Sequence, residues 1–193
     1  MKLDIKLSGV GGQGILSIAT VIGQAATASG IYLKQAEVHG MSQRGGDVQS
    51  DLRLNTEPIF SDQIPLGGAD IILSMEPMEA LRYLPWLAPE GIIITSSRPL
   101  VNIPNYPDQT ALLAELAAQP RVVSVDIEES AREAGVPKSA NMVLLGMAAS
   151  YISLLPADVL REAISSIFAP KGESIVQANL KAFDLGLDNS TKI

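Results

Sequence analysis

Leu3, Ile5 and Leu7 alternate with Lys2, Asp4 and Lys6, and the alternation runs through Ser8 into a cluster of glycines. A period of two predicts a strand with one apolar and one polar face. Past Gly14 the period lengthens. Ile15, Ile18, Ala19 and Ile22 fall on one side of a helix that can cover a sheet. Gly30, after Ser29, suits the left-handed position that closes many helices. Residues 31–37 then read as a second strand. Strand, glycine loop, helix and strand form one crossover unit, which is right-handed when its strands are parallel.

Residues 48–54 alternate again, and their half-polar character predicts an edge strand. Residues 69–75 and 91–95 centre on Ile71-Ile72-Leu73 and Ile92-Ile93-Ile94 and read as buried strands. Between them Glu76 and Pro77 open a short helix to about Leu84, with the proline in its first turn. Pro99, Pro104 and Pro107 make residues 98–109 a loop or extended arm. Thr110 is placed to cap a helix over 111–118, and 122–126 form the last strand.

The remainder is helical. A short helix over 128–134 ends at Gly135. A longer one, capped by Ser139, runs to about Leu154 with Met142, Leu145, Ala149 and Ile152 on one side. Pro156 starts another, carrying Leu160, Ile164 and Ile167. Lys171-Gly172 breaks the chain before a last helix with Ile175, Ala178, Ala182 and Phe183. Gly146, Ala148 and Ala149 suit a close helix approach, and serve equally as good helix formers with one tolerated glycine. The expected fold is α/β: a Rossmann-like, doubly wound, mostly parallel sheet with helices on both faces and a helical C-terminal part. It forms a single domain over residues 1–187, with 188–193 as a frayed tail.

Composition narrows the function. The chain has 193 residues, 47% hydrophobic and only 4% aromatic, so its core is aliphatic. Charged residues make up 18%, below the roughly 25% of an average globular chain. That fits either a surface covered by a partner or a compact protein with a buried sheet. A net charge of −7 without a basic patch argues against nucleic acid. There is no cysteine, which excludes cysteine-ligated iron–sulfur clusters in this chain. No long apolar run opens the sequence, and 142–155, interrupted by Gly146, Ser150 and Ser153, falls short of the ~20 residues of a membrane span. A soluble, cytoplasmic protein without a membrane partner is expected.

Two loops carry the candidate chemistry. Gly9-x-Gly11-x-x-Gly14 lies between a strand and a helix, the context of a dinucleotide fingerprint, where glycines let the backbone approach a phosphate at a helix N-terminus. Glu37 ends the second strand, roughly where an acid would bind an adenosine ribose. One reading is therefore a stand-alone NAD(P)- or FAD-binding protein; another is that Gly11 and Gly14 serve turn geometry alone. Nothing else resembles a dehydrogenase, since the single histidine, His39, has no evident acid partner. The second loop, His39-Gly40-Met41-Ser42-Gln43-Arg44-Gly45-Gly46, follows that strand and should face the same crevice as the first. Arg44 between glycines can clamp a phosphate or carboxylate, or pair with an acid of a partner protein. Glu37 and His39 are too few for a metal site. No G-x-S-x-G elbow is present, and Glu128, Glu129 and Glu133 read as a solvated helix face.

Gly9-Val10-Gly11-Gly12-Gln13-Gly14, Glu37-Val38-His39-Gly40-Met41-Ser42-Gln43-Arg44-Gly45-Gly46, and Lys171-Gly172 with Asn179, Ala182-Phe183 and Gly186 together resemble the gamma-type module of 2-oxoacid:ferredoxin oxidoreductases. Length and the wording of the second loop are most similar to the beta subunit of the indolepyruvate branch. The resemblance implies oxidative decarboxylation of an aryl 2-oxoacid to an acyl-CoA with reduction of ferredoxin. It also implies that this chain is inactive alone. Lacking cysteine and a thiamine-diphosphate motif, it would rely on a larger subunit carrying thiamine diphosphate and the iron–sulfur clusters, and would meet ferredoxin only indirectly. In the resembled enzymes the corresponding domain helps to hold coenzyme A. That makes Gly11, Gly12, Gln13, Gly14, Ser42, Gln43 and Arg44 the candidate contacts, with no catalytic residue and no metal ligand expected. Whether the isolated chain self-associates stays open.

Overall fold

The computed structural model describes residues 1–40 and 45–190. In chain order its elements are β1 (Lys2–Val10), α1 (Ile15–Ala28), β2 (Tyr32–His39), β3 (Asp47–Asn55), β4 (Ala69–Ser74), α2 (Pro77–Arg82), β5 (Leu87–Ser96), α3 (Gln109–Ala117), β6 (Val122–Val125), α4 (Ile127–Glu133), α5 (Ala140–Ala149), α6 (Ala157–Phe168) and α7 (Glu173–Ser190). The strands form one sheet in the order β2-β3-β1-β4-β5-β6. β1, β4, β5 and β6 pair in parallel, while β3 is antiparallel to both β1 and β2. The sheet is mostly parallel in direction, as expected, with β3 alone reversed.

β3 is not the edge strand that its polar alternation predicts. It lies inside the sheet, and β2 takes the edge. The reason is visible in the register. Asp4 of β1 stands opposite Arg53 of β3, and Lys6 opposite Asp51. Arg53 Nε donates to Asp4 Oδ1 at 2.8 Å, and Lys6 Nζ reaches Asp51 Oδ1 at 2.7 Å, all four groups being largely buried. The polar faces of two strands thus neutralise each other, so neither needs water. Lys6 also stacks over the rings of Tyr83 and Trp86, at 4.8 and 4.9 Å, which covers the pair with aromatic carbon.

Side chains alternate between two helical layers. Ile72 and Ile93 meet Ala80 of α2 and Leu116 of α3 on one face. Ile71, Leu73, Ile92 and Ile94 point into the larger core under α1, α5, α6 and α7. α5 is central there. Apart from Asn141, all its residues are buried, not one side only as the spacing of Met142, Leu145 and Ala149 suggests. It packs on α7 through reciprocal glycines. A Cβ on Gly146 would lie 2.0 Å from the Phe183 carbonyl oxygen, and one on Gly186 2.0 Å from that of Val143. Of the two readings of Gly146, the close approach is the one the structure adopts.

Some boundaries differ from expectation. Asp108, not Thr110, caps α3, its Oδ1 accepting from the Ala111 N–H at 2.9 Å. A carboxylate is the better cap and sits two residues earlier. α5 stops at Ala149, and β5 begins at Leu87, which pairs with Ala69 across a register shift. α7 continues helically through Ser190, past the start of the expected tail. No helix among the described residues is long and apolar enough to cross a membrane.

Candidate functional site

The glycine loop turns on two left-handed residues, Gly12 at φ 105° and Gly14 at φ 83°. Gly14 begins α1, and no side chain caps that helix. A Cβ on Gly14 would stand 2.8 Å from Asn141 Nδ2, and one on Gly9 3.1 Å from Met75 Cβ, so a side chain at either position would have to push Asn141 or Met75 aside. Gln13, expected as a ligand contact, has both ends of its amide engaged. Oε1 accepts from the Val10 N–H at 2.8 Å, and Nε2 donates to the Met75 carbonyl at 3.3 Å. It braces the loop from within and ties it to the end of β4.

The second loop connects β2 to β3 and meets the first through backbone. The Gly11 N–H donates to Gly46 O at 2.8 Å, and the Gly45 N–H to Gly11 O at 3.3 Å. The two loops do come together, but by way of the start of β3 rather than the end of β2. Met41, Ser42, Gln43 and Arg44 lie outside the described residues. His39 closes β2 opposite Val48. Glu37 pairs with Ser50 of β3, so a whole strand separates it from β1. At about 4.8 Å per strand spacing, it is displaced from the place of a ribose-binding acid. The dinucleotide reading loses its second element.

The proline-rich segment after β5 is strapped onto this end of the sheet. Glu76, wholly buried at the end of β4, accepts from the Leu100 N–H at 3.2 Å, from the Glu79 N–H at 2.9 Å and from the Tyr106 hydroxyl. Burial, then the bond to Glu76, pushes the Tyr106 phenol well above its ordinary value, so it stays a donor. Asn102 Nδ2 donates to Gly45 O at 2.8 Å, linking the strap to the second loop.

Below the glycine loop opens a cleft of about 940 Å³. Gly12, Gln13 and Gly14 form one wall, and Lys138, Ser139 and Asn141 at the start of α5 another. Lys171 and the first turns of α7, including Asn179, close it. Asn141 Nδ2 donates to Gly14 O at 3.1 Å, locking the starts of α1 and α5 together. Glu128 also lines the cleft, contrary to its expected place on a solvated face. Its Oε2 accepts from the Ser96 hydroxyl at 2.8 Å. Burial holds this carboxyl above the usual range, with the Ser96 bond pulling the other way. Of the expected contacts, then, the structure brings Gly12, Gln13 and Gly14 to the cleft and uses Gly11 to pair the loops. Sequence reasoning missed Ser139, Asn141 and Glu128. Only helix starts, not a motif, mark the first two. Lys171-Gly172 and Asn179 belong to the pattern behind the resemblance.

A family model described as pyruvate ferredoxin/flavodoxin oxidoreductase matches residues 4–189. The chain belongs to this family. It is 37% identical over 195 residues to an indolepyruvate oxidoreductase subunit IorB of Pyrococcus horikoshii, spanning 96% of this chain and 95% of that one. To the subunit of the same name from Archaeoglobus fulgidus it is 35% identical over 198 residues, spanning 98% and 96%. The resemblance read from the two glycine loops is borne out. Among solved structures, a 2-oxoglutarate:ferredoxin oxidoreductase from Magnetococcus marinus, with 2-oxoglutarate, coenzyme A and succinyl-CoA bound, shares the fold at a TM-score of 0.79 and 21% identity. All of this chain is covered, and 31% of that one. There the same fold is part of a longer polypeptide.

Proposed function

We propose that this chain is the small, accessory subunit of an indolepyruvate-type 2-oxoacid:ferredoxin oxidoreductase and forms the coenzyme A side of its active site. Near-full-length identity of 35–37% to indolepyruvate oxidoreductase subunits carries the reading. The absence of cysteine supports the division of labour: the clusters that pass electrons to ferredoxin, and the thiamine diphosphate, sit on a larger partner. Coenzyme A bound to the Magnetococcus marinus relative supports the choice of ligand. On this chain the proposed contacts are the turn of Gly11, Gly12, Gln13 and Gly14, together with Ser42, Gln43 and Arg44 of the second loop. Gln13 serves by holding the turn, and the glycines by letting a ligand approach the backbone.

The chemistry left to this chain is placement. A thiol acceptor must arrive in a fixed orientation, and water must be kept from a reactive acyl group. Co-expression with a thiamine-diphosphate, iron–sulfur subunit should yield a stable complex on tandem affinity purification. In that complex Arg44→Ala should raise the KM for coenzyme A about tenfold, the loss of roughly one charge-assisted bond. Failure of the two chains to co-purify contradicts the subunit reading, and an unchanged KM removes Arg44 from the site.

A further inference from the structure

We propose that the mouth of the cleft, where α1, α5 and α7 begin, seats a phosphate or pyrophosphate group, held by the Ser139 hydroxyl, the turn N–H groups around Gly14, and the ammonium groups of Lys138 and Lys171. This rests on the reading of the chain as the coenzyme A side of a larger enzyme, and it adds the residues that take the charge.

Ser139 is the leading observation. It is only 4% exposed, it lines the cleft, and its side chain makes no capping bond to α5. Nor does its hydroxyl find another partner among the described residues. With no protein partner, and not among the side-chain atoms sealed from solvent, this hydroxyl opens on the cleft, where a ligand oxygen can meet it. The helix starts are the second observation. α1, α5 and α7 have 14, 10 and 18 residues, long enough to carry substantial dipoles. Neither Gly14 nor Ser139 caps its helix with a side chain, and the first turns of α1 and α5 hold no acid. The leading N–H groups of α1 thus lack intrahelical partners and face no compensating charge, whereas at α5 the Met142 N–H is already taken by Asn141 Oδ1 at 3.1 Å. The Asn141 bond to Gly14 O holds these two starts in one arrangement.

Two cations complete the mouth. Lys138 precedes α5, and Lys171 precedes α7 with its Nζ 5.2 Å from the centre of the Phe168 ring, a wall residue of the cleft. Glu128, the carboxyl among the lining residues, is turned onto Ser96. Met75, Leu100, Val136 and Ile175 supply an apolar wall for the uncharged remainder of a phosphorylated ligand. With a net charge of −7 the molecule as a whole repels anions. Attraction must therefore come from this local set of donors.

The test uses Ser139→Ala, which removes a hydroxyl without a partner, and the double variant Lys138→Gln/Lys171→Gln, which changes exposed side chains; neither should unfold the chain. Calorimetry on the full chain with pyrophosphate, coenzyme A and NAD is paired with the KM for coenzyme A in the assembled complex. The expected result is saturable binding of pyrophosphate and coenzyme A, weakened about tenfold in each variant, with the KM for coenzyme A rising in step and that for the 2-oxoacid unchanged. Tighter binding of NAD than coenzyme A, lost in the same variants, would keep the phosphate seat and reassign its ligand. Variants that alter neither pyrophosphate affinity nor the KM for coenzyme A overturn the proposal, as does the absence of saturable binding by all three compounds. A large subunit fully active without this chain defeats the accessory-subunit reading instead, and the pyrophosphate titration still decides the seat.

Discussion

Single side chains at the site do structural work that their types conceal. Gln13 occupies the position of a ligand contact in a glycine loop, yet its amide spans Val10 and Met75. Gln13→Ala would strip the buried Val10 N–H of its acceptor. An unsatisfied buried donor costs about 1–3 kcal/mol, so urea denaturation should show a loss in that range. Amide exchange at Val10 and Gly14 should accelerate with it, and an unchanged midpoint contradicts the brace. Glu128 offers a test by pH. Its carboxyl is held above its unfolded value, chiefly by burial. The folded state then binds the proton more tightly, so the group costs little below about pH 4, and its cost grows as pH rises from the unfolded to the folded value and stays constant above it. Glu128→Gln keeps an acceptor for Ser96 and removes the charge. The variant should melt higher than the parent at pH 7, and the difference should vanish near pH 4. A difference independent of pH would contradict the burial of this carboxyl.

Elements were legible where a local period decides them. β1, α1, β4, the apolar part of β5, and α6 follow from alternation or helical spacing within about two residues. The place of β3 was not legible, because polar alternation reads as solvent exposure. Here Asp4 with Arg53, and Lys6 with Asp51, satisfy each other across strands distant in sequence. Ser139 escaped for a similar reason: its interest lies in being buried and unpaired, which only the packing of α5 against α7 and α1 creates. Gly146 and Gly186 carry that packing. A methyl group on Gly146 meets backbone rather than a movable side chain. Gly146→Ala should therefore cost at least the ~3 kcal/mol at the upper end of overpacking effects. It should also disturb the start of α5, and with it the cleft. A loss below about 1 kcal/mol would show that α5 and α7 can separate without penalty.

At the scale of the whole molecule, the glycine loop was readable as a phosphate-approach turn, but its ligand was not. The fingerprint alone points to a dinucleotide, whereas insertion of β3 moves Glu37 a strand away and the cleft runs toward α5 and α7. What separated the readings was chemistry the chain lacks, cysteine above all, together with the wording of residues 37–46. On the proposed reading, the chain places coenzyme A for a partner subunit that carries the redox centres, so its contribution shows only in the assembly. The most direct measurement is indolepyruvate- and coenzyme A-dependent reduction of a viologen dye by the purified large subunit, with and without this chain. Negligible acyl-CoA formation is expected from the large subunit alone, with restoration on adding the chain at one-to-one stoichiometry. Full activity of the large subunit by itself would contradict it.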